Sequence, residues 1–513
     1  MSTLRRRWSL LWMFSPALVL AAIATSSQVS SWARASDGDL FTRIDRYIQQ
    51  EMDNSHIPGI AIAILKGGDV VHRQGFGHDG HGRGITPETP FPIGSLTKSF
   101  TALATRQLAE AGRISLDDPV QQYLPWFQVA DVDASSRITV RHLLNQTSGL
   151  SRASGIEPVI EESQASLQEI VRDLKNTPLN RPVGQSYEYS NLNFAVLGLL
   201  VETVSGQPWT TYIERHVFAP IGMSDSYSTF DAAREAGMTA VHQYWFGVPV
   251  RTALAYLPGL ASTGYLASSA DDMASYLAVY LSKGMARDTR LLSAAGIEEM
   301  LAPSTDEVTV RRLSTSFTAR YGEGWLVGSF GGARDARWHL GDLPSFTAWM
   351  ILLPDSDQAV VLLTNIGSPA EVGGGNSVLS RLPQGVVRLL RNEPPPSGVT
   401  VTRFYAIFDA IVVGILGTLM WLMVSLMRSR PDLTASPDGG PWFPVARTAT
   451  PVVVGLGVAA LLLLGAPMIT LLSWNAMWRF MPDLTLVILA ISALCAGCGV
   501  VRAGQLARWF TRG

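Results

Sequence analysis

Three apolar runs near the C-terminus constrain the architecture of this chain more than any other feature of its sequence. They cover residues 405–427, 451–473 and 484–501. A helix needs about 20 apolar residues to cross a bilayer, so the first two runs are long enough and the third is marginal. The chain is 47% hydrophobic and only 16% charged, which agrees with a membrane protein. We therefore expect three transmembrane helices within residues 405–513.

The arginines that flank these runs predict how the chain is oriented in the membrane. Three follow the first run, one lies between the second and third runs, and three follow the third run: Arg428, Arg430 and Arg447; Arg479; and Arg502, Arg508 and Arg512. Because cytoplasmic loops carry an excess of arginine and lysine, the first loop and the C-terminus are predicted to be cytoplasmic. The residues before 404 are then extracytoplasmic, which predicts a multi-pass protein of the cell (inner) membrane with a periplasmic domain.

The N-terminal residues lead to the same orientation independently. Arg5-Arg6-Arg7 precedes an apolar run over residues 8–24, as in a secretory signal peptide. Ala33-Arg34-Ala35 and Ala22-Ile23-Ala24 are both possible cleavage sites, and an uncleaved anchor is the alternative. In either case residues 1–35 would direct the export of the domain after them.

Residues 36–391 have the pattern of one mixed domain. A hairpin of alternating apolar residues occupies positions 59–76, a helical region comes next, and short strand patterns return over residues 324–365 before a final helix. Strands at both ends with helices between them predict an α+β fold: an antiparallel sheet flanked by helices, plus a mostly helical subdomain. Residues 392–404 contain three consecutive prolines and are predicted to be a stiff linker. The net charge of −2 argues against nucleic acid as a partner.

Ser95-Leu96-Thr97-Lys98 is the first candidate for chemistry. A serine and a lysine three residues apart share one face of a helical turn. A neutral lysine there could take the proton of the serine hydroxyl, which arginine cannot do. The chain has 40 lysines and arginines, of which only four are lysines, so Lys98 is not placed for charge alone. Taken by itself, this spacing also occurs by chance in long proteins.

Two further stretches carry candidate site residues. Tyr189 and Asn191 lie where a loop opens into a helix, a junction that can place a phenol and a carboxamide in one cleft. His339 and Gly341 lie at the end of a predicted strand, directly before Asp342.

With these residues in place, the sequence resembles the penicillin-recognising serine hydrolases of the class C β-lactamase and D-alanyl-D-alanine carboxypeptidase type. The order and spacing of several motifs agree from about residue 40 to residue 390. The stretches that carry the resemblance are residues 91–98, 141–150, 182–191, 260–263 with Asp272, and 339–346.

The resemblance implies a role for each candidate. Ser95 would be the nucleophile that forms an acyl-enzyme, with Lys98 and Tyr189 sharing proton transfer and Tyr189 acting as a phenolate. Asn191 would bind a substrate amide or carbonyl. The backbone N–H groups of Ser95 and of Asp342, the residue after Gly341, would form an oxyanion hole.

Two departures from the family refine this expectation. His339 stands where β-lactamases carry the lysine that holds the β-lactam carboxylate, whereas esterases and aminopeptidase-like relatives often have His-x-Gly. The three C-terminal helices are similar to those of the membrane-bound peptidases that activate nonribosomal-peptide prodrugs, such as the colibactin-maturation peptidase. Those enzymes remove an N-acyl-D-asparagine leader. Pro92-Ile93-Gly94 is apolar where that subgroup would carry an acidic residue, so the resemblance does not extend to D-asparagine specificity.

The favoured hypothesis is an outward-facing serine peptidase or amidase that removes an N-acyl-D-amino-acid leader or cleaves a D-configured peptide. An esterase, weak β-lactamase or carboxypeptidase on the same site is the alternative, and a non-enzymatic sensor of cell-wall peptide is a third. The expected partners are a small peptide or acyl-amide substrate and the lipid bilayer, with no cofactor, and the oligomeric state is not predicted.

Two stretches leave their roles open. The glycine-rich loop at residues 77–84 holds His78, Asp79 and His81, but a solvated loop is favoured there over a metal site. The aromatic residues of positions 240–258 would either line a pocket or cover an edge of the core.

Overall fold

The structure is a computed structural model that describes residues 40–306, 308–311, 316–343, 345–367, 378–428, 443–470 and 473–510. The chain divides into two compact units, residues 1–43 and 44–513. Of the first unit the structure describes only residues 40–43. The predicted signal segment at residues 1–35, with its cleavage sites, lies outside the described residues, as do Arg430 and Arg512.

The α-helices are numbered here in chain order over the described residues. They are α1 (Leu40–Ser55), α2 (Thr97–Glu110), α3 (Val132–Ser135), α4 (Val140–Leu144), α5 (Arg152–Ile160), α6 (Leu167–Asp173), α7 (Asn191–Ser205), α8 (Trp209–Ile213), α9 (Ala219–Ile221), α10 (Phe230–Glu235), α11 (Ala261–Gly264), α12 (Ala270–Leu281), α13 (Ala294–Leu301), α14 (Val378–Leu390), α15 (Val401–Arg428), α16 (Phe443–Thr470), α17 (Trp474–Phe480) and α18 (Pro482–Phe510).

The strands are numbered in the same way. They are β1 (Gly59–Lys66), β2 (Asp69–Gly77), β3 (Phe91–Pro92), β4 (Val241–Trp245), β5 (Val248–Thr252), β6 (Ala267–Ser268), β7 (Met285–Ala286), β8 (Thr289–Arg290), β9 (Val308–Arg311), β10 (Ser316–Tyr321), β11 (Leu326–Phe330), β12 (Ala333–Leu343), β13 (Phe346–Leu353), β14 (Gln358–Thr364) and β15 (Ile366–Gly367).

The main sheet joins the two ends of the domain over residues 36–391. Its eight strands run in the order β2-β1-β14-β13-β12-β11-β10-β9, and every neighbouring pair is antiparallel. Strand β1, near the start of the domain, therefore pairs with β14, near its end, with Ile62 opposite Leu362. This confirms the predicted α+β fold with an antiparallel sheet built from early and late strands.

Both faces of the central strands are buried, which explains why β1, β13 and β14 are continuous apolar runs in the sequence. On one face, Ala61 and Ala63 join Val361 in the large core that also contains the residues of the helical subdomain. On the other face, Ile60 and Ile62 are fully buried as well.

Helix α2 lies at the junction between the sheet and the helical subdomain. It packs against α7 and α11, and the turn before it packs against β12. Its side chains are buried nearly all round, including Lys98. The first turn of α2 thus reaches the place where strand, helix and loop elements meet, and this position makes it the centre of the candidate site.

Three helices of the described C-terminal residues are long and apolar enough to cross a membrane, as predicted. The candidate spans are Val401–Arg428, Ala449–Thr470 and Pro482–Gln505. The first begins inside residues 392–404, the stretch predicted as a linker, because Thr400 caps it by accepting a hydrogen bond from the Arg403 N–H. We call the short helix α17, which joins the second and third spans, the connector helix.

Tyr244, Trp245 and Phe246 lie against α15 and the connector helix. Tyr256 instead packs on Phe230 and Tyr265. Strands β4 and β5 form a hairpin whose turn, Phe246-Gly247, has positive φ at both residues, as two-residue hairpins favour. At this turn the Phe246 N–H donates to the Asp483 carboxylate at 3.2 Å. The rings of Trp245 and Trp478 also meet edge to face at 6.0 Å. The hairpin therefore connects this domain to the connector helix and to the start of the third span.

Candidate active site

Ser95 lies in a single 3-10 turn, Gly94–Leu96, that leads directly into α2. Gly94 has a φ of 54°, a left-handed conformation that glycine adopts without steric cost. This turn leaves Ser95 half-buried, while Leu96 and Thr97 are fully buried. The hydroxyl is thus held by a rigid element with one side open.

Lys98 is fully buried beneath Ser95 and donates three hydrogen bonds. Its Nζ lies 3.1 Å from Ser95 Oγ, 2.9 Å from Asn191 Oδ1 and 2.6 Å from the Thr263 carbonyl oxygen. An ammonium has three N–H donors, and each of them meets one of these acceptors. The ring of Tyr189 is also close, with its centroid 4.9 Å from Nζ.

Tyr189 is the second residue that contacts the Ser95 hydroxyl. Its hydroxyl donates to Ser95 Oγ at 2.7 Å. The loop that carries it is fixed by Gln146, whose backbone carbonyl accepts from Glu188 N and whose side-chain oxygen accepts from Ser190 N, both at 2.9 Å. Gln146 is itself held at a φ of 59°. The stretch 141–150 that carried part of the family resemblance thus supports the tyrosine.

Asn191 uses both ends of its amide within the protein. Its oxygen accepts from Lys98, and its nitrogen donates to the Gly155 carbonyl of α5 at 3.0 Å. Gly155 lies so close that a Cβ there would be 2.6 Å from Ser190 Oγ. Helix α5 is therefore an immediate neighbour of the site, which no pattern in the sequence indicated.

The backbone of β12 meets the Ser95 turn at Gly341. A Cβ on Gly341 would lie 1.9 Å from the Ile93 carbonyl oxygen and 3.0 Å from Ser95 N, so only glycine fits. A Cβ on Gly94 would in turn lie 3.1 Å from Asp342 N. The two backbone nitrogens predicted as oxyanion-hole donors, those of Ser95 and Asp342, thus belong to two chain segments in close contact.

His339 is buried rather than open to the cleft, with 1% of its surface exposed. Its Nδ1 lies 2.8 Å from the Leu340 carbonyl oxygen, and its ring packs near Tyr189 and Tyr321, with centroid distances of 6.4 and 6.2 Å. Contact between His339 and substrate therefore stays a prediction.

Tyr321 is a site neighbour that the sequence patterns did not identify. Burial raises its pKa well above the usual tyrosine range, and the nearby Tyr189 and Tyr187 raise it further. Tyr321 therefore stays protonated at neutral pH. The signal that could have located it is the following Gly322-Glu323-Gly324 turn, where a Cβ on Gly324 would lie 2.9 Å from Ser99 Cα of the nucleophile helix.

Asp272, which was grouped with residues 260–263 in the family motifs, bonds Ser226 and Asp225 rather than the residues of the site. Its carboxylate accepts from Ser226 Oγ and from Asp225 N, both at 2.7 Å. Burial raises the pKa of Asp272 to about 6. Ser226 also bonds Ser268 of β6, which pairs with β3 just before the Ser95 turn. Asp272 thus acts as a structural support.

The glycine-rich loop at residues 77–84 uses its only carboxylate internally. Asp79 accepts hydrogen bonds from the His81 and Arg83 N–H groups and from Arg83 Nε. Over the part of the chain that the structure describes, no group of three His, Cys, Asp or Glu side chains is arranged to hold a metal ion.

An antiparallel sheet with helices, and a buried lysine and a tyrosine that both contact one serine, define the class of penicillin-recognising serine hydrolases. The comparisons agree with this class. The β-lactamase family model matches residues 44–381, about two thirds of the chain, and the chain belongs to that family.

The similarity to known proteins covers only part of this chain. Protein flp of Staphylococcus aureus (strain MW2) is 26% identical over 335 residues, which are 64% of this chain and 63% of that protein. Penicillin-binding protein 4 of Amycolatopsis lactamdurans is 29% identical over 321 residues, 61% of this chain and 82% of that protein. The chain thus spans less than two thirds of the length of protein flp.

Solved structures show the same fold. An octameric penicillin-binding protein homologue from Pyrococcus abyssi aligns with a TM-score of 0.59 and 27% identity, covering 73% of this chain and 81% of that one. D-amino acid amidase from Ochrobactrum anthropi SV3 aligns with a TM-score of 0.57 and 22% identity, covering 68% of this chain and all of the other.

Proposed function

We propose that this protein is a membrane-anchored serine peptidase or amidase that acts through an acyl-enzyme on Ser95, with its catalytic domain facing away from the cytoplasm. The observation that carries the proposal is the position of Ser95 Oγ between Lys98 Nζ at 3.1 Å and Tyr189 Oη at 2.7 Å. A hydroxyl held between a cation and a phenol has a partner for its proton on one side and charge stabilisation on the other.

The proposed first step is acylation. With Tyr189 as a phenolate stabilised by the Lys98 ammonium, the Ser95 hydroxyl passes its proton to Tyr189 while Oγ bonds to the substrate carbonyl carbon. The carbonyl oxygen becomes negative and accepts hydrogen bonds from Ser95 N and Asp342 N. Donors of this kind typically contribute about 3–4 kcal/mol each to the stabilisation of the transition state.

The intermediate then collapses to the acyl-enzyme. The C–N bond breaks, and Tyr189 returns its proton to the departing amine nitrogen. In the second half, Tyr189 takes a proton from a water molecule whose oxygen attacks the ester carbonyl. The bond between the carbonyl carbon and Ser95 Oγ then breaks, Tyr189 gives this proton to Ser95 Oγ, and the acid leaves the site. The protonation state of the enzyme is restored at the end of each cycle.

The proposed substrate is a peptide or acyl amide with an N-acyl-D-amino-acid leader or a D-configured residue. The solved structure of D-amino acid amidase bound to D-phenylalanine shows that a chain of this fold accommodates a D-amino acid. His339 in place of lysine favours amides or esters over β-lactams. An aryl ester is therefore the second candidate substrate, and the presence of His339 in place of lysine is the observation that favours it.

Labelling with a fluorophosphonate tests the enzyme proposal directly. Membranes that contain the wild-type protein should take up the label, and Ser95→Ala should abolish it, whereas the exposed-serine control Ser136→Ala should label normally. Label that persists in Ser95→Ala, or none in the wild type, would sink the acyl-enzyme proposal and favour a sensor. N-acyl-D- and L-amino-acid amides, aryl esters and a chromogenic β-lactam then rank the substrates.

Orientation needs a separate experiment in intact cells. A cysteine at position 136 (Ser136→Cys) should react with a membrane-impermeant maleimide, whereas a cysteine at position 436 (Ser436→Cys), in the first arginine-bearing loop, should react only after permeabilisation. Cys495 and Cys498 are buried in α18 and give the background measured in the parent protein. The opposite labelling pattern would overturn the outward-facing orientation.

A further inference from the structure

One arginine of the membrane region reaches into the catalytic domain. Arg479, in the connector helix, donates through Nη1 to the Ile160 carbonyl at 3.0 Å and the Val159 carbonyl at 3.5 Å. Its Nη2 lies 2.8 Å from the Glu162 carboxylate. Val159 and Ile160 are the last two residues of α5, so Arg479 caps the C-terminal end of that helix.

A cap of this kind suits the physics of a helix end. The last carbonyls of a helix have no partner within the helix, and the partial negative charge there attracts a cation. Arginine presents several N–H donors in a planar fork, so it can bond two carbonyls and a carboxylate together. The Arg479–Glu162 pair is partly exposed, so by itself it contributes little to stability.

Helix α5 is only lightly packed against the domain, where Val159 is partly buried against the core and the Arg152 N–H donates to the Glu188 carboxylate. Gly155 is its only buried residue, and Pro158 removes one backbone N–H from its interior. An element with so little buried apolar surface belongs to the readily opened part of a protein. The position of α5 therefore depends strongly on the hydrogen bonds at its ends.

The same helix contacts the catalytic residues. The Gly155 carbonyl accepts from Asn191 Nδ2 at 3.0 Å, and Asn191 Oδ1 accepts from Lys98 Nζ at 2.9 Å. A continuous chain of contacts thus runs from Arg479 through α5 and Asn191 to Lys98. A shift of α5 would change the direction of the Asn191 amide and, with it, one of the three acceptors of the lysine.

The connector helix is itself held against the domain at a second place. The Arg479 carbonyl accepts from Gln243 Nε2 of β4 at 2.9 Å. Arg479 and Phe480 also face a cavity that reaches the end of the oxyanion strand β12. The other residues that line this cavity include Val159, Glu162, Tyr265, Leu343 and Ser345.

We infer that Arg479 is a positioning residue of the active site, which couples the connector helix of the membrane region to the Asn191–Lys98 contact through α5. The inference rests on the proposed acyl-enzyme function, because that function gives Lys98 its task. It also gives the second and third membrane helices a use that a single anchoring helix could not supply: they hold a short extracytoplasmic helix at a fixed place beside the catalytic cleft.

The experiment compares four variants of the full-length protein in lipid nanodiscs. Arg479→Ala should slow Ser95 labelling by fluorophosphonate roughly tenfold or more, with the same final extent of labelling, because small misplacements of catalytic groups have effects of this size. Arg479→Lys should restore part of the rate, and Glu162→Gln should be close to wild type because the carbonyl bonds remain. The matched control is Arg428→Ala, which removes an exposed charge at the C-terminal end of the first span, far along the chain from α5.

Hydrogen exchange provides a readout that a general loss of stability would not reproduce. In Arg479→Ala, exchange should increase over residues 152–162 and stay unchanged in α2. An Arg479→Ala protein that labels at the wild-type rate, or whose exchange rises equally in α2, would overturn the inference while leaving the proposed function intact. A wild-type protein that takes no label would overturn the proposed function, and the catalytic part of this inference with it.

Discussion

The two walls of the catalytic cleft are held in place by different means. The wall that carries the nucleophile consists of the first turn of α2 and the end of β12, where Lys98 is fully buried and Gly341 touches the backbone before Ser95. The facing wall consists of the Tyr189 loop and α5. Gly155 is the only buried residue of α5. Core packing fixes the first wall, and individual hydrogen bonds fix the second.

The two walls should therefore respond differently to substitution. Cores are packed like organic crystals, so a substitution in the first wall must displace backbone or main-core side chains. In the second wall, each hydrogen bond contributes only about 1 kcal/mol net. We expect substitutions in the first wall to abolish activity and those at the supporting hydrogen bonds of the second wall to reduce it by degrees.

Lys98→Arg should have the largest effect, a loss of roughly a thousandfold or more in the rate of Ser95 acylation. Arginine keeps the positive charge, but its planar fork does not match three acceptors gathered around one nitrogen, so the Tyr189 phenolate would lose the ammonium that stabilises it. The rate of fluorophosphonate labelling measures this loss, with Lys66→Arg at the exposed end of β1 as the control. Substantial residual activity would refute the need for the Lys98 ammonium beside Ser95 and Tyr189.

Gly341→Ala should follow, with a loss of about a hundredfold to a thousandfold, the range seen when an oxyanion donor is removed. The added methyl group would lie 1.9 Å from the Ile93 carbonyl oxygen, so β12 must move away from the Ser95 turn. Steady-state kinetics on the best substrate should show the loss in kcat. The control is Gly84→Ala, at an exposed position with open space around it. A variant with normal kcat would exclude the Asp342 N–H as a donor.

The first wall was largely predictable from the sequence because its signals are local. These signals are patterns within single elements: the Ser95–Lys98 spacing, the hairpin pattern of β1 and β2, and the apolar runs of β13 and β14. Each of these elements is present. The three C-terminal apolar runs were recognisable for the same reason, since length and hydropathy decide whether a helix can cross a bilayer.

Tyr189 of the second wall was predicted from its motif, but the contacts that hold this wall in place were not, because they join residues that are distant in sequence. Arg479 bonds Ile160 from 319 positions away. Gln146 supports Ser190 through a backbone conformation that glutamine rarely adopts. Neither residue type has a local preference for such a task, so only the folded structure reveals it. Tertiary packing also determines that the aromatic residues near position 245 contact the C-terminal helices instead of lining a pocket.

Gln146→Ala tests the second wall with an intermediate effect. It removes the acceptor of the buried Ser190 N–H, and an unsatisfied buried donor costs about 1–3 kcal/mol, so the Tyr189 loop should shift or loosen. We expect a tenfold to hundredfold lower labelling rate. The matched control is Gln185→Ala, an exposed glutamine close to the same loop. A loss as severe as that of Lys98→Arg would erase the distinction between the two walls.

Asp272→Asn should have the smallest effect on activity and a measurable effect on stability. Burial raises the pKa of Asp272 to about 6 from its usual value of 3.8. Between pH 3.8 and about pH 6, Asp272 is therefore protonated to a greater extent in the folded state than in the unfolded state. Stability from Asp272 is thus fully present below about pH 4 and falls as the pH rises to about 6, by on the order of 3 kcal/mol in total.

The melting temperature in nanodiscs between pH 4.5 and pH 7.5 measures this difference. Asparagine keeps an oxygen that can accept from Ser226 and Asp225 N but carries no charge, so Asp272→Asn should melt above the wild type at pH 7.5 and close to it at pH 4.5. The control Asp69→Asn removes an exposed carboxylate and should change neither value. If the melting temperature of Asp272→Asn changed with pH as that of the wild type does, the Asp272 carboxylate would not be the cause of the pH-dependent stability.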